Sequence, residues 1–200
     1  QEIITFALQN QKVMFATIIK TIYCLIASPR KGWRRISDRD AGQQDFINNF
    51  LFPVFGFIAI PSFIGGMWLA DNGGIHWALK QVVIVVSALF GGFYLVSYAL
   101  NELFPKFGLG KKLHATQLFV GYSSVVLYLL FFLIPLLPGA VFLWFAVIYT
   151  LYIVYAGAGD FLHMTANKKL SFTVIASLLI VVVPLAIKIL LEFMINLLPG

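Results

Sequence analysis

Few residues in this chain could do chemistry, and long apolar stretches separate them. His76, His114 and His163 are the natural metal ligands and proton carriers, yet none stands in an H-x-x-x-H spacing. No G-x-S-x-G elbow and no glycine-rich phosphate loop occurs either. Cys24 is the sole cysteine, so an intrachain disulfide or a C-x-x-C metal or redox pair is impossible. It reads as a small apolar side chain on a helix face. Lys188 and Glu192 are one helical turn apart and can pair on one face. Their ordinary reading is a lysine snorkelling at a membrane boundary, and their sharper one is a site for a coupling ion or substrate. The tripeptide Gly121-Tyr122-Ser123 places a phenol between two small residues, which suits packing or a buried polar site. Arg30, Lys31, Arg34 and Arg35 flank Trp33 in the densest charge cluster of the protein. Such a group meets anionic headgroups or an acidic partner, with the indole expected among the headgroups.

The elements that must position these residues follow from composition. Of 200 residues, 60% are hydrophobic and 11% charged, and the mean hydropathy is +0.92. A soluble fold needs more polar surface than that, whereas a chain solvated by lipid does not. The apolar runs are continuous rather than alternating, which argues against a β-barrel. The net charge of +6 reads as topology, not as nucleic-acid binding. The stretch from Ala115 to Gly159 carries no Asp, Glu, Lys or Arg. About 20 residues suffice for one crossing, so it holds two, reversing at Pro138-Gly139.

The expected fold class is all-α: a polytopic membrane helix bundle of five transmembrane helices preceded by an amphipathic interfacial helix. The spans are expected at about 46–70, 78–100, 115–137, 140–159 and 170–190. Residues 1–45 form the interfacial helix and basic lead-in segment, and residues 46–200 the five-span domain. Lys12 and Lys20 fall about 80° apart on a helix, which places residues 1–27 at the membrane surface. A sixth, poorly hydrophobic span is the rival reading. Gln1-Glu2 is no basic n-region, so no cleavable leader is expected. Pro53 and Pro61 should kink the first span. Asp38, Asp40 and Asp45 are placed to cap it, and Asp71-Asn72-Gly73-Gly74 to turn the chain after it. Ser62-x-x-x-Gly66 and Ser87-x-x-x-Gly91 are small-residue patterns through which the first two spans would pack directly.

Charge then orients the bundle. Segments 28–45, 101–114 and 160–169 share one side and hold five, three and two cations, ten of the fourteen Lys and Arg. Segments 71–77 and 138–139 on the other side hold none. The positive-inside rule therefore sets the N-terminus in the cytoplasm and the C-terminus outside. The three histidines lie at span edges on both sides, which precludes a shared metal. No internal repeat is evident.

Five spans, the amphipathic lead-in and Gly121-Tyr122-Ser123 followed by Ser124-Val125-Val126-Leu127-Tyr128 resemble the Yip family of integral membrane proteins. Ser28-Pro29-Arg30-Lys31-Gly32-Trp33-Arg34-Arg35-Ile36 resembles the Pro-x-x-x-Trp segment of its prokaryotic branch. Eukaryotic members of that family sit in Golgi and endoplasmic-reticulum membranes, bind Rab-type GTPases and carry an Asp-Leu-Tyr-Gly-Pro motif. This chain lacks the motif, so the resemblance does not extend to GTPase binding. It implies a multi-pass protein of the bacterial cytoplasmic (inner) membrane.

The expected function is a non-enzymatic membrane scaffold, trafficking-like factor or accessory subunit; the alternative is a small transporter or channel component. No catalytic, cofactor or metal residue is assigned. Arg30, Lys31, Trp33, Arg34 and Arg35 are candidate lipid or partner contacts, and Gly121, Tyr122, Ser123, Lys188 and Glu192 a candidate buried polar or packing site. The expected partners are anionic lipid headgroups and other membrane proteins or a second copy, with no nucleic acid. A reporter fused after Gly200 and active only outside the cytoplasm should be active; cytoplasmic activity there would mean that the spans are miscounted, with residues 1–27 the first place to look.

Overall fold

The computed structural model describes residues 2–39, 42–70, 73–137 and 139–197. Among them all regular structure is helical. Helix α1 covers Glu2–Ala27, and the short helix α2 covers Pro29–Ser37. Four helices are long and apolar enough to cross a membrane: Gln43–Leu69, Ile75–Phe107, Val141–Asp160 and Ala166–Ile195. The pair Leu113–Ser123 and Val125–Leu136 also qualifies when read as one span broken at Ser124, where it bends by 43°. Counting it so gives five crossings, numbered here first to fifth in chain order. The proposed cap at Asp40, the turn residues Asp71 and Asn72, and Pro138 fall outside the described residues.

The third span is the axis of the bundle. Every residue from Thr116 to Tyr128 is buried, the mark of a helix that has neighbours on all sides. In the most apolar window of the fifth span only 22% of residues are buried inside the protein, so that helix lies at the edge. At the bend the Ser124 hydroxyl donates to the Val120 carbonyl at 2.8 Å, a bond to the preceding turn that often accompanies a bent helix.

The first span runs through both prolines without a break. The five residues Ile47–Leu51 just before Pro53 are π-helical, as are Gly65–Leu69 beyond Pro61. Before Pro53 the wider turn gives room to a ring that would otherwise strike the Asn49 carbonyl four residues back. The reversal before the fourth span uses Gly139 at φ +93°, a left-handed conformation that glycine adopts without cost. That span then opens with eight residues of 3₁₀-helix, Val141–Ile148.

Close approach sets which spans meet. A methyl group on Gly66 would lie 2.8 Å from the Ala78 Cα, so the first pattern does bring the first and second spans together. The second pattern does not face the first span. A methyl on Gly91 would sit 3.3 Å from Ile187, and one on Gly92 would sit 2.5 Å from the Pro184 ring, both on the fifth span. The first two spans thus pack directly, as expected, through the first pattern alone: Ser87 is exposed, and its helix turns the glycines toward the fifth span.

Helix α1 is not among the helices that qualify as crossings. Ile18 and Leu25 are buried, and Phe15 packs edge-on against Phe57, midway along the first span, with ring centroids 4.9 Å apart. At its end the Ile26 carbonyl accepts from the Tyr149 hydroxyl of the fourth span at 2.6 Å. Val13, Ile19 and Tyr23 face outward. The helix therefore follows the bundle wall further than one confined to the headgroups would.

Replacing Gly92 by valine should force the second and fifth spans apart against a rigid ring. The expected cost is about 1–3 kcal/mol, as for other overpacked sites. A lower unfolding temperature in detergent measures it, and an unchanged one would show that the Gly92–Pro184 contact does not hold these helices.

Candidate functional site

The basic segment and the tripeptide of the third span come together. In α2 the buried residues are Pro29, Gly32, Trp33 and Ile36, spaced as one face of a helix. Arg30, Lys31, Arg34 and Arg35 are exposed on the other faces. Gly32 lets α2 close against α1, since a methyl there would lie 3.0 Å from the Leu25 side chain.

Trp33 is 0% exposed. This corrects the expectation that it contacts lipid headgroups. Its ring enters the bundle, stacking on Phe119 at 5.5 Å and meeting Tyr122 edge-on at 6.2 Å and Phe161 at 5.3 Å. The indole N–H donates to the Ile153 carbonyl of the fourth span at 2.9 Å, which removes the polar cost of burying it. Gly157 makes the room: a methyl there would lie 2.6 Å from the indole Cε2. The helical periodicity of Pro29, Gly32, Trp33 and Ile36 was the sequence signal for this burial. The surrounding cations mask it.

Gly121-Tyr122-Ser123 lies on the other side of the same joint. A methyl on Gly121 would come within 2.2 Å of the Phe46 ring, so this position must be bare. Tyr122 packs against Phe46 at 4.9 Å and Phe50 at 4.6 Å. Ser123 is fully buried, and its hydroxyl has no partner among the described residues. Gln43 donates its amide to the Gln117 side chain, which ties the first span to the third. The tripeptide is thus a socket in which the first span, the third span and α2 meet.

The four cations differ in their surroundings. The Arg34 Nε lies 3.0 Å from the Asp160 carboxylate at the end of the fourth span. With Arg34 largely exposed, that pair contributes little stability. An Arg35 N–H donates to the Cys24 sulfur at 3.6 Å. Arg30 and Lys31 are exposed to solvent.

Lys188 and Glu192 form the expected ion pair within one turn, but not with the tripeptide. Lys188 lines a cavity of about 310 Å³ at the opposite end of the bundle, beside Ser62, Trp77, Gln81 and Trp144. The candidate residues therefore form two separate sites. Among the described residues no group of three His, Cys, Asp or Glu could hold a metal ion.

The Yip1 domain model matches residues 23–187. The chain belongs to the Yip1 domain family. No curated protein matches it, and no solved structure does. The matched residues run from the last turn of α1 through most of the fifth span, so α2, Trp33 and the tripeptide all belong to the Yip1 domain. Lys188 and Glu192 lie just beyond the match, as does most of α1.

Truncating Trp33 to alanine should cost about 3–5 kcal/mol, the range for a large buried aromatic. It should also free α2, so limited trypsin should cut at Arg30, Lys31, Arg34 or Arg35 faster than in the wild type. If Trp33→Ala leaves the cleavage rate unchanged, something other than the indole holds α2.

Proposed function

We propose that this Yip1 domain protein is a non-enzymatic membrane scaffold or accessory subunit, with α2 as its docking face. The observation that carries this reading is that Trp33 plugs α2 into the bundle while Arg30 and Lys31 point away from it. Cations on a fixed helix lose less freedom on binding than cations on a loose loop. Arginine also offers paired N–H donors to a carboxylate. The partner is an acidic segment of another membrane protein or of a second copy, with anionic headgroups as the background that orients it. The distribution of Lys and Arg supports an orientation with the N-terminus inside and the C-terminus outside, and the resemblance of the Pro29 to Trp33 segment to the prokaryotic branch supports the bacterial cytoplasmic membrane.

The cavity beside Lys188 favours a second reading, a small transporter or channel component. A lysine paired with Glu192 and set beside an amide and two tryptophans suits a zwitterionic solute.

The two readings separate in native membranes and in liposomes. Changing Arg30 and Lys31 to Gln, with Arg34 kept because it pairs with Asp160 and Arg35 because it donates to Cys24, should abolish cross-linking to a defined partner while the unfolding temperature stays within a degree or so of wild type, as for surface changes. Solute flux through liposomes containing this protein alone, lost on Lys188→Gln, would overturn the scaffold reading in favour of the second.

A further inference from the structure

Helix α1 does not seal the wall it rests on. Two cavities lie beneath it, one after the other along the first and third spans. Nearer the basic end, a cavity of about 190 Å³ is lined by Thr17, Thr21, Arg39, Asp45, Asn49 and Tyr122. Deeper along the same spans, a groove of about 360 Å³ is lined by Phe15, Ile22, Val54, Phe57, Tyr128 and Phe132, with no charged residue on its walls. Ile18 borders both. Phe50 and Val54, and likewise Tyr122 and Val125, carry each span from the first cavity to the second within one helical turn.

We propose that the two cavities together hold one anionic phospholipid, its phosphate beside Arg39 and one acyl chain in the groove under α1. The walls change from polar to apolar in the direction a lipid does, from the basic end inward. Together the volumes fall within the range of about 300–1,000 Å³ common for small-molecule sites. The polar cavity is also sorted by hydrogen-bond type. Arg39, Asn49 and the Tyr122 phenol supply donors for phosphate oxygens. Thr17 and Thr21 spend their protons on the carbonyls of Val13 and Thr17, at 2.8 Å each, so their oxygens are left to accept. With the Asp45 carboxylate they suit a headgroup that carries hydroxyls, such as phosphoglycerol. Aromatic packing of Tyr122 on Phe46 and Phe50 fixes the phenol in place.

This lipid is distinct from the diffuse attraction of headgroups to α2, and the site does not depend on the scaffold reading. It also explains why α1 presents apolar groups on both sides: Phe15 and Ile22 line the groove, while Val13, Ile19 and Tyr23 face the surrounding bilayer.

The test is native mass spectrometry of the full chain, released from nanodiscs holding equal amounts of phosphatidylglycerol and phosphatidylcholine. One retained phosphatidylglycerol per chain is expected, preferred by about tenfold or more, the worth of the charge-assisted hydrogen bond that its glycerol hydroxyls, and not choline, can donate to Asp45. Arg39→Gln should lower retention of both lipids, Asp45→Asn should abolish the preference, and Ile18→Trp, which fills the junction of the cavities, should abolish retention of either lipid. Phe57→Trp, at a half-exposed groove position, should weaken retention and serves if the Ile18 variant does not fold. Lys106→Gln, at an exposed cation outside both cavities, should change nothing. Equal retention of the two lipids, no effect of Arg39→Gln, or full retention by the Trp variants would each overturn the proposal and leave ordinary annular lipid.

Discussion

The bundle depends on bulky groups seated on bare glycines. Inside a bilayer there is no hydrophobic gain in bringing one apolar helix against another, so association rests on close van der Waals packing. Phe46 sits on Gly121, Trp33 on Gly157 and Pro184 on Gly92. The three contacts tie the first span to the third, α2 to the fourth, and the fifth to the second. Each is specific because any side chain at the glycine would occupy space the ring already fills. A central helix buried from Thr116 to Tyr128 needs such keys, since it has no lipid-facing side on which to relax.

The joint at Trp33 gives the basic segment its character. A tryptophan among arginines at a membrane boundary would ordinarily anchor in headgroups, loosely and exchangeably. Here the indole spends its one donor on the Ile153 carbonyl, and the guanidinium groups are carried outside as the visible side of a helix whose other side is core. The charge pattern and the packing pattern therefore belong to one short element, and neither is intelligible without the other.

The all-helical fold with four to five helices of bilayer length was legible because long charge-free runs can be read directly. The Lys188–Glu192 pair followed from spacing alone. The central role of the third span was legible in part, through its charge-free length and its small-residue tripeptide. Trp33 was misplaced because its neighbours outweighed its helical register. The partner of Gly91 could not be read, since a small-residue pattern says that a backbone comes close without saying whose. The bend at Ser124 has neither proline nor glycine to announce it. The cavities under α1 arise where three helices diverge, and divergence has no signature in any one of them.

The 3₁₀ opening of the fourth span bears on membrane thickness. That span has only 20 residues, against 33 in the second. As uniform α-helix it would measure about 30 Å, barely the depth of a hydrocarbon core. Its first eight residues rise about 2.0 Å each instead of about 1.5 Å, which stretches the whole to about 34 Å. The helix is drawn out at one end to reach across, while the longer spans beside it must tilt or project. The fourth span is thus the one element with no slack. A thicker bilayer would act first on Val141–Ile148, and through Ile153 and Gly157 on the same helix the strain would reach the indole that holds α2.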